Sequence, residues 1–181
     1  MIFTIVKQLW QKNLVLKCLI LICLPLLIIT LWSGLPIVVA KVCAYLLFVL
    51  GFSCFDSYGF ALTQERDTDL SELRITYRVI QDLFEFIALW GIYQYVGIWP
   101  VVGCLVAHWF TTCDKLFYIL RKEPDYLGEY TWLEGWSIFL ILKHIGIKPT
   151  TTAIFNLWAF IGFVGGLALS LHDFLLTYLF H

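Results

Sequence analysis

Charge is scarce in this chain: Asp, Glu, Lys and Arg make up 14% of its 181 residues, where soluble domains carry about 25%. Neither sign is in surplus, with 12 Lys+Arg against 13 Asp+Glu and a formal net charge of −1. Without basic excess there is nothing to neutralise a run of phosphates, which excludes a nucleic-acid-binding domain. So few charges also exclude a disordered chain and a soluble enzyme. The recognisable catalytic and ligand-binding patterns are missing as well: there is no CxxC, HExxH, EF-hand loop, GxGxxG, P-loop, GxSxG or paired DxxD. The six cysteines, Cys18, Cys23, Cys43, Cys54, Cys104 and Cys113, are scattered through apolar stretches. They read as small buried hydrophobes and not as a disulfide framework or a zinc ribbon.

What fills the chain is apolar: 61% hydrophobic and 18% aromatic residues, with a mean hydropathy of +0.85. That composition expects lipid as the main solvent and an all-α, polytopic bundle of transmembrane helices forming one domain over 1–181. A crossing needs about 20 apolar residues, and six segments qualify, approximately 14–32, 36–62, 78–97, 100–120, 132–147 and 150–171. The first lacks a small-x-small cleavage site behind it and reads as a retained span. The fifth is short, a short span or a re-entrant half-helix.

Three joins, Ser33-Gly34-Leu35-Pro36, Gly97-Ile98-Trp99-Pro100 and Gly146-Ile147-Lys148-Pro149, put a Gly where one helix ends and a Pro where the next begins. Each reads as a tight hairpin. With six spans they fall on one side, and the longer connections fall on the other with both termini. Lys7, Lys12, Arg66, Arg74, Arg78, Lys115, Arg121 and Lys122 gather on that second side, against Lys41, Lys143 and Lys148 opposite. Positive charge marks the cytoplasmic face, so both termini are expected there, in a bacterial-type plasma (inner) membrane. A re-entrant fifth segment instead moves Lys143 and Lys148 inside and His172 and Asp173 outside. Trp32, Trp99, Trp10, Trp132 and Trp136 suit interfacial belts, while Trp90, Trp109 and Trp158 fall mid-span and are expected to pack. Gly162 and Gly166 form a GxxxG on the last segment, and Gly103, Ala107 and Thr111 a small-residue stripe on the fourth. Both suit close helix packing within the chain or, through Gly162 and Gly166, against a second copy or another membrane partner.

Ionisable groups inside a span cost a few kcal/mol each and mark function by default. Six alternating spans bring several to one depth near the cytoplasmic leaflet: Asp56, Asp82, Glu85, His108, Asp114, Glu134, His172 and Asp173. Asp82 and Glu85 share a helix face with Arg78 a turn before. Glu85 lies deeper, without a neighbour to pair with. His108 is the deepest imidazole; it and Asp114, six residues on, line one cavity without forming a two-ligand pair on one face. Glu134 opens the fifth segment, either as a helix-start acid or as a ligand.

Carboxylates and imidazoles on several helices suit an intramembrane metal site, in which zinc or a similar divalent ion activates water. The expected roles are Glu85, His108 and Asp114 as catalytic groups, and Glu85, His108, Glu134 and His172 as metal ligands. The depth fits a lipid-like substrate with its polar head at the interface, hence a metal-assisted hydrolase or transferase. Two other readings stand beside it: a non-catalytic assembly, immunity or complex-subunit protein, and a small proton-coupled transporter or channel.

Overall fold

The computed structural model describes residues 13–32, 34–65, 70–121, 144–146 and 152–179. Among them every regular element is helical: α1 Leu14–Leu31, α2 Ile37–Glu65, α3 Leu70–Val96, α4 Ile98–Trp109, α5 Thr112–Arg121, α6 Thr152–Ser170 and α7 His172–Leu179. The expected fifth segment lies outside the described residues apart from His144–Gly146.

Two helices, Leu14–Leu31 and Ile37–Gly59, are long and apolar enough to cross a membrane. The bent pair Phe155–Ser170 and His172–Tyr178 adds a third if it counts as one span. The distribution of side chains has the same sense. Leu21, Ile28, Phe86, Ile87, Leu157 and Phe160 face outward, while Lys41, Ser53, Ser57, Gln81, Thr111, Thr112 and Ser170 are buried. In water such a surface would be a continuous association patch; in lipid it is ordinary. Trp90 and Trp109, expected to pack inside, are 57% and 61% exposed and belong to this outer surface.

The three turn glycines adopt the left-handed backbone that only glycine reaches without strain: Gly34 at φ 100°, Gly97 at φ 95° and Gly146 at φ 80°. α1 and α3 end beside Gly34 and Gly97, where the sequence puts those helix ends. α1 is not regular, however. Leu19–Cys23 forms a π-turn, and the Leu24 N–H bonds back to the Leu19 carbonyl. Pro25, just after it, has no N–H and its ring crowds the carbonyl four residues earlier, so the helix widens to make room.

The fourth segment is also interrupted. Phe110 closes α4, and Thr111 takes φ 63°, the one non-glycine positive φ among the described residues. A β-branched side chain there costs roughly 1–3 kcal/mol, so its surroundings must hold it in place. The holding surface is α6. Thr112 Oγ1 donates to the Ala159 carbonyl at 2.8 Å, and Gly162 packs on Phe110 and Thr112. Gly166 lies against Gly103, so close that a Cβ on Gly166 would stand 2.5 Å from the Gly103 carbonyl oxygen. The glycine stripe is therefore already occupied by this chain's own fourth segment. Tyr45 of α2 closes the same seam, donating to the Phe163 carbonyl at 2.7 Å.

These contacts fix a direction that differs from the sequence expectation. Going down the fourth segment from Tyr118 to Trp99, the partners on the last segment climb: Phe155 beside Tyr118, Ala159 at Thr112, Gly166 at Gly103, and His172 on Trp99. α6 thus runs antiparallel to α4 and α5. Six alternating spans require it to be parallel.

Candidate functional site

The polar residues that converge do so between α2, α3, α4 and α5. Asp56 Oδ1 accepts hydrogen bonds from the Tyr77 hydroxyl and from Gln81 Nε2, the latter at 3.1 Å. Gly59 permits this, since a Cβ there would strike the Tyr77 ring. One turn beyond Gln81, Glu85 is half-buried and faces α4, whereas Asp82 is exposed. Glu85 Oε1 stands 3.8 Å from His108 Nδ1. The imidazole meets the Phe52 ring edge-on, with centroids 5.0 Å apart. Asp114, in the first turn of α5, lies within electrostatic range of His108, Asp56 and Arg78.

A separation of 3.8 Å is too long for a hydrogen bond, which runs to about 3.2 Å for nitrogen to oxygen. His108 Nδ1 is accordingly buried with no partner. Two more orphans occur on α3 and at the α4–α5 break. Gln81 Oε1 and Thr111 Oγ1 complete the set of buried, unpartnered side-chain polar atoms among the described residues. Gln81 precedes Glu85 by one helical turn, and the Thr111 N–H bonds to the His108 carbonyl. A folded chain rarely leaves such atoms unsatisfied, and the one that faces a carboxylate, His108 Nδ1 opposite Glu85, marks a place where a proton, water or ligand atom belongs.

His172 is elsewhere. It stacks on Trp99 with ring centroids 3.9 Å apart, beside Asp173, whose carboxylate holds the buried Lys41 ammonium at 2.9 Å. Trp99 and His108 are nine residues apart on α4, about 13 Å along the axis. The antiparallel course of α6 therefore removes His172 from the expected metal set: a single ion cannot be shared by His172 and His108. Glu134 lies outside the described residues.

The one set of His, Cys, Asp or Glu ligand atoms that closes to metal-binding range, among the described residues, is Cys18, Cys23 and Cys54. Glu85, His108 and Asp114 do not form such a set. Sequence reasoning missed the cysteine group because it assumed regular helices. The signal was present in Pro25, which lies two residues after Cys23.

The fold and site define an all-helical protein, consistent with residence in a membrane, with a half-buried acid–imidazole pair. No protein family, no curated protein and no solved structure matches the chain.

Proposed function

We propose that the chain is an integral membrane protein in which Glu85 and His108 form a general acid–base pair acting on the polar end of a lipid-like substrate, in hydrolysis or group transfer. The observation that carries this reading is His108 Nδ1, buried, unbonded and 3.8 Å from Glu85 Oε1. A bridging atom between them would be hydrogen-bonded by both, which is the geometry for proton transfer to or from a reacting group. Asp114, within electrostatic range of His108, supplies the second carboxylate in this reading. This keeps the three expected catalytic residues and replaces the divalent ion, for which the described residues offer no complete ligand set outside the cysteines, with acid–base chemistry.

In this reading the chain crosses a bacterial-type plasma membrane five times. α1, α2, α3, the α4–α5 pair and α6 cross, and the fifth segment returns to its own side. Arg78, Lys115 and Arg121 support a cytoplasmic position for the Asp56–Glu85 end by the positive-inside rule. A substrate such as a phospholipid, a polyprenyl phosphate or an acylated peptide meets the pair with its head at that interface.

The test uses the full chain in liposomes containing each of those three substrates in turn, with products read by mass spectrometry. Glu85→Gln and His108→Ala are each expected to lower turnover by about 100-fold or more, with helical content unchanged. Turnover that survives both variants removes the acid–base assignment. If the wild-type chain turns over none of the three, the non-catalytic reading takes its place. The hydrogen bonds from Tyr77 and Gln81 of α3 to Asp56 of α2 favour that reading, because they already serve as an interhelical joint.

A further inference from the structure

Cys18 and Cys23 are five residues apart, which in a regular helix turns them about 140° from one another. The π-turn at Leu19–Cys23 changes that, because a turn closed by an i→i+5 bond sets residues five apart above one another. Both sulfurs then face α2 and meet Cys54. The three Sγ atoms lie within 4.8 Å of one another, at exposures of 7%, 7% and 0%. The shell around them is apolar: Leu120 packs directly on the group, with Leu14, Val15, Leu19, Leu47 and Leu50 beyond.

We propose that Cys18, Cys23 and Cys54 form a three-sulfur site for one copper(I) ion, which ties α1 to the rest of the bundle. The donor set excludes hard cations, since no carboxylate or imidazole completes it among the described residues. Soft sulfur ligands select copper(I), zinc or iron–sulfur clusters. Zinc takes a fourth ligand in a structural site, and an iron–sulfur cluster takes four cysteines. Copper(I), a d10 ion without that demand, is satisfied by three sulfurs. Binding breaks S–H bonds and forms Cu–S bonds, the protons leave to solvent, and no electron is transferred. The site has a mechanical use. Only 11% of the apolar window of α1 is buried in the fold, so α1 has little else to hold it, and the ion bridges two of its residues to α2.

The full chain, purified in detergent, reduced and free of oxygen, is titrated with copper(I) held by the competing chelator bicinchoninate. One ion per chain is expected to transfer, with X-ray absorption reporting sulfur scatterers alone. Cys18→Ser, Cys23→Ser and Cys54→Ser should each weaken binding at least about tenfold, while Cys43→Ser, buried on α2 but outside the group, should not. Pro25→Ala should weaken it as well: it keeps every sulfur but restores a regular helix that turns Cys18 and Cys23 apart. Circular dichroism confirms that the variants fold, and Cys18→Ser on the outlying α1 keeps the test valid if Cys54→Ser does not. Failure of the wild-type chain to take copper(I) from the chelator overturns the proposal. So do nitrogen or oxygen ligation, tighter zinc than copper(I) binding under the same competition, and equal loss in Cys43→Ser.

Discussion

The ion pair between Lys41 and Asp173 is lopsided, with the lysine side chain 8% exposed and the aspartate 56%. Removing one partner should therefore not equal removing the other. Asp173→Ala strands an ammonium out of water, whereas Lys41→Met leaves a carboxylate that solvent already reaches. Asp173→Ala should be the more destabilising in detergent unfolding by SDS, and equal losses would show that Lys41 finds another acceptor. At this scale the sequence was a partial guide. It singled out Glu85 from its depth and lack of a local partner, His108 as the deepest imidazole and Asp114 as able to line the same cavity, and the fold brings Glu85 and His108 to 3.8 Å. It had no means of finding Tyr77 and Gln81 as the donors to Asp56, because an uncharged tyrosine or glutamine in a helix carries no periodic signal. His172 was misassigned for a reason of another scale, the direction of its helix.

Helices were the most legible level, and their irregularities the least. Apolar runs and Gly-to-Pro joins located α1, α2, α3 and the fourth segment, and the positive φ at Gly34 and Gly97 explains why glycine stands at those joins. The π-turn before Pro25 and the break at Thr111 came from local conflicts that hydrophobic pattern does not register. The glycines of α6 make the sharpest contrast between neighbours. A Cβ on Gly165 meets nothing within 4 Å, while one on Gly166 would stand 2.5 Å from the backbone of Gly103 and 2.8 Å from the Tyr45 hydroxyl oxygen. Gly165→Ala should be neutral or mildly stabilising through helix propensity, and Gly166→Ala should cost about 2 kcal/mol or more by forcing α4 and α6 apart. Unfolding of the two variants in mixed micelles measures this, and similar midpoints would refute the close packing.

Taken as a whole, the bundle turns on the direction of α6. Counting apolar segments gives an even number and both termini on one side. Packing instead puts Trp99 and His172 at one end of the molecule, and Leu14 and Leu120 together in a cluster remote from them. Strand-like alternation rules do not apply to helices, and hydropathy says nothing about whether a short segment crosses or returns, so the ambiguity of residues 132–147 carried through to the last helix. The difference is measurable. In a cysteine-free background in sealed vesicles, Ile98→Cys and Asp173→Cys should react with an impermeant maleimide from the same side, and Thr76→Cys from the other. Labelling of positions 98 and 173 from opposite sides would restore six alternating crossings. The bend of 68° between α6 and α7 has one more consequence at this scale. In the five-crossing reading proposed above, with α6 near the bilayer normal, α7 would lie closer to the plane of the membrane than to its depth, and its exposed Leu175, Leu176 and Tyr178 would meet the boundary between acyl chains and headgroups. In that reading α7, tied through His172 to Trp99 of α4 and through Asp173 to Lys41 of α2, would work as a float that sets the waterline of the bundle, and with it the level at which Glu85 and His108 would sit.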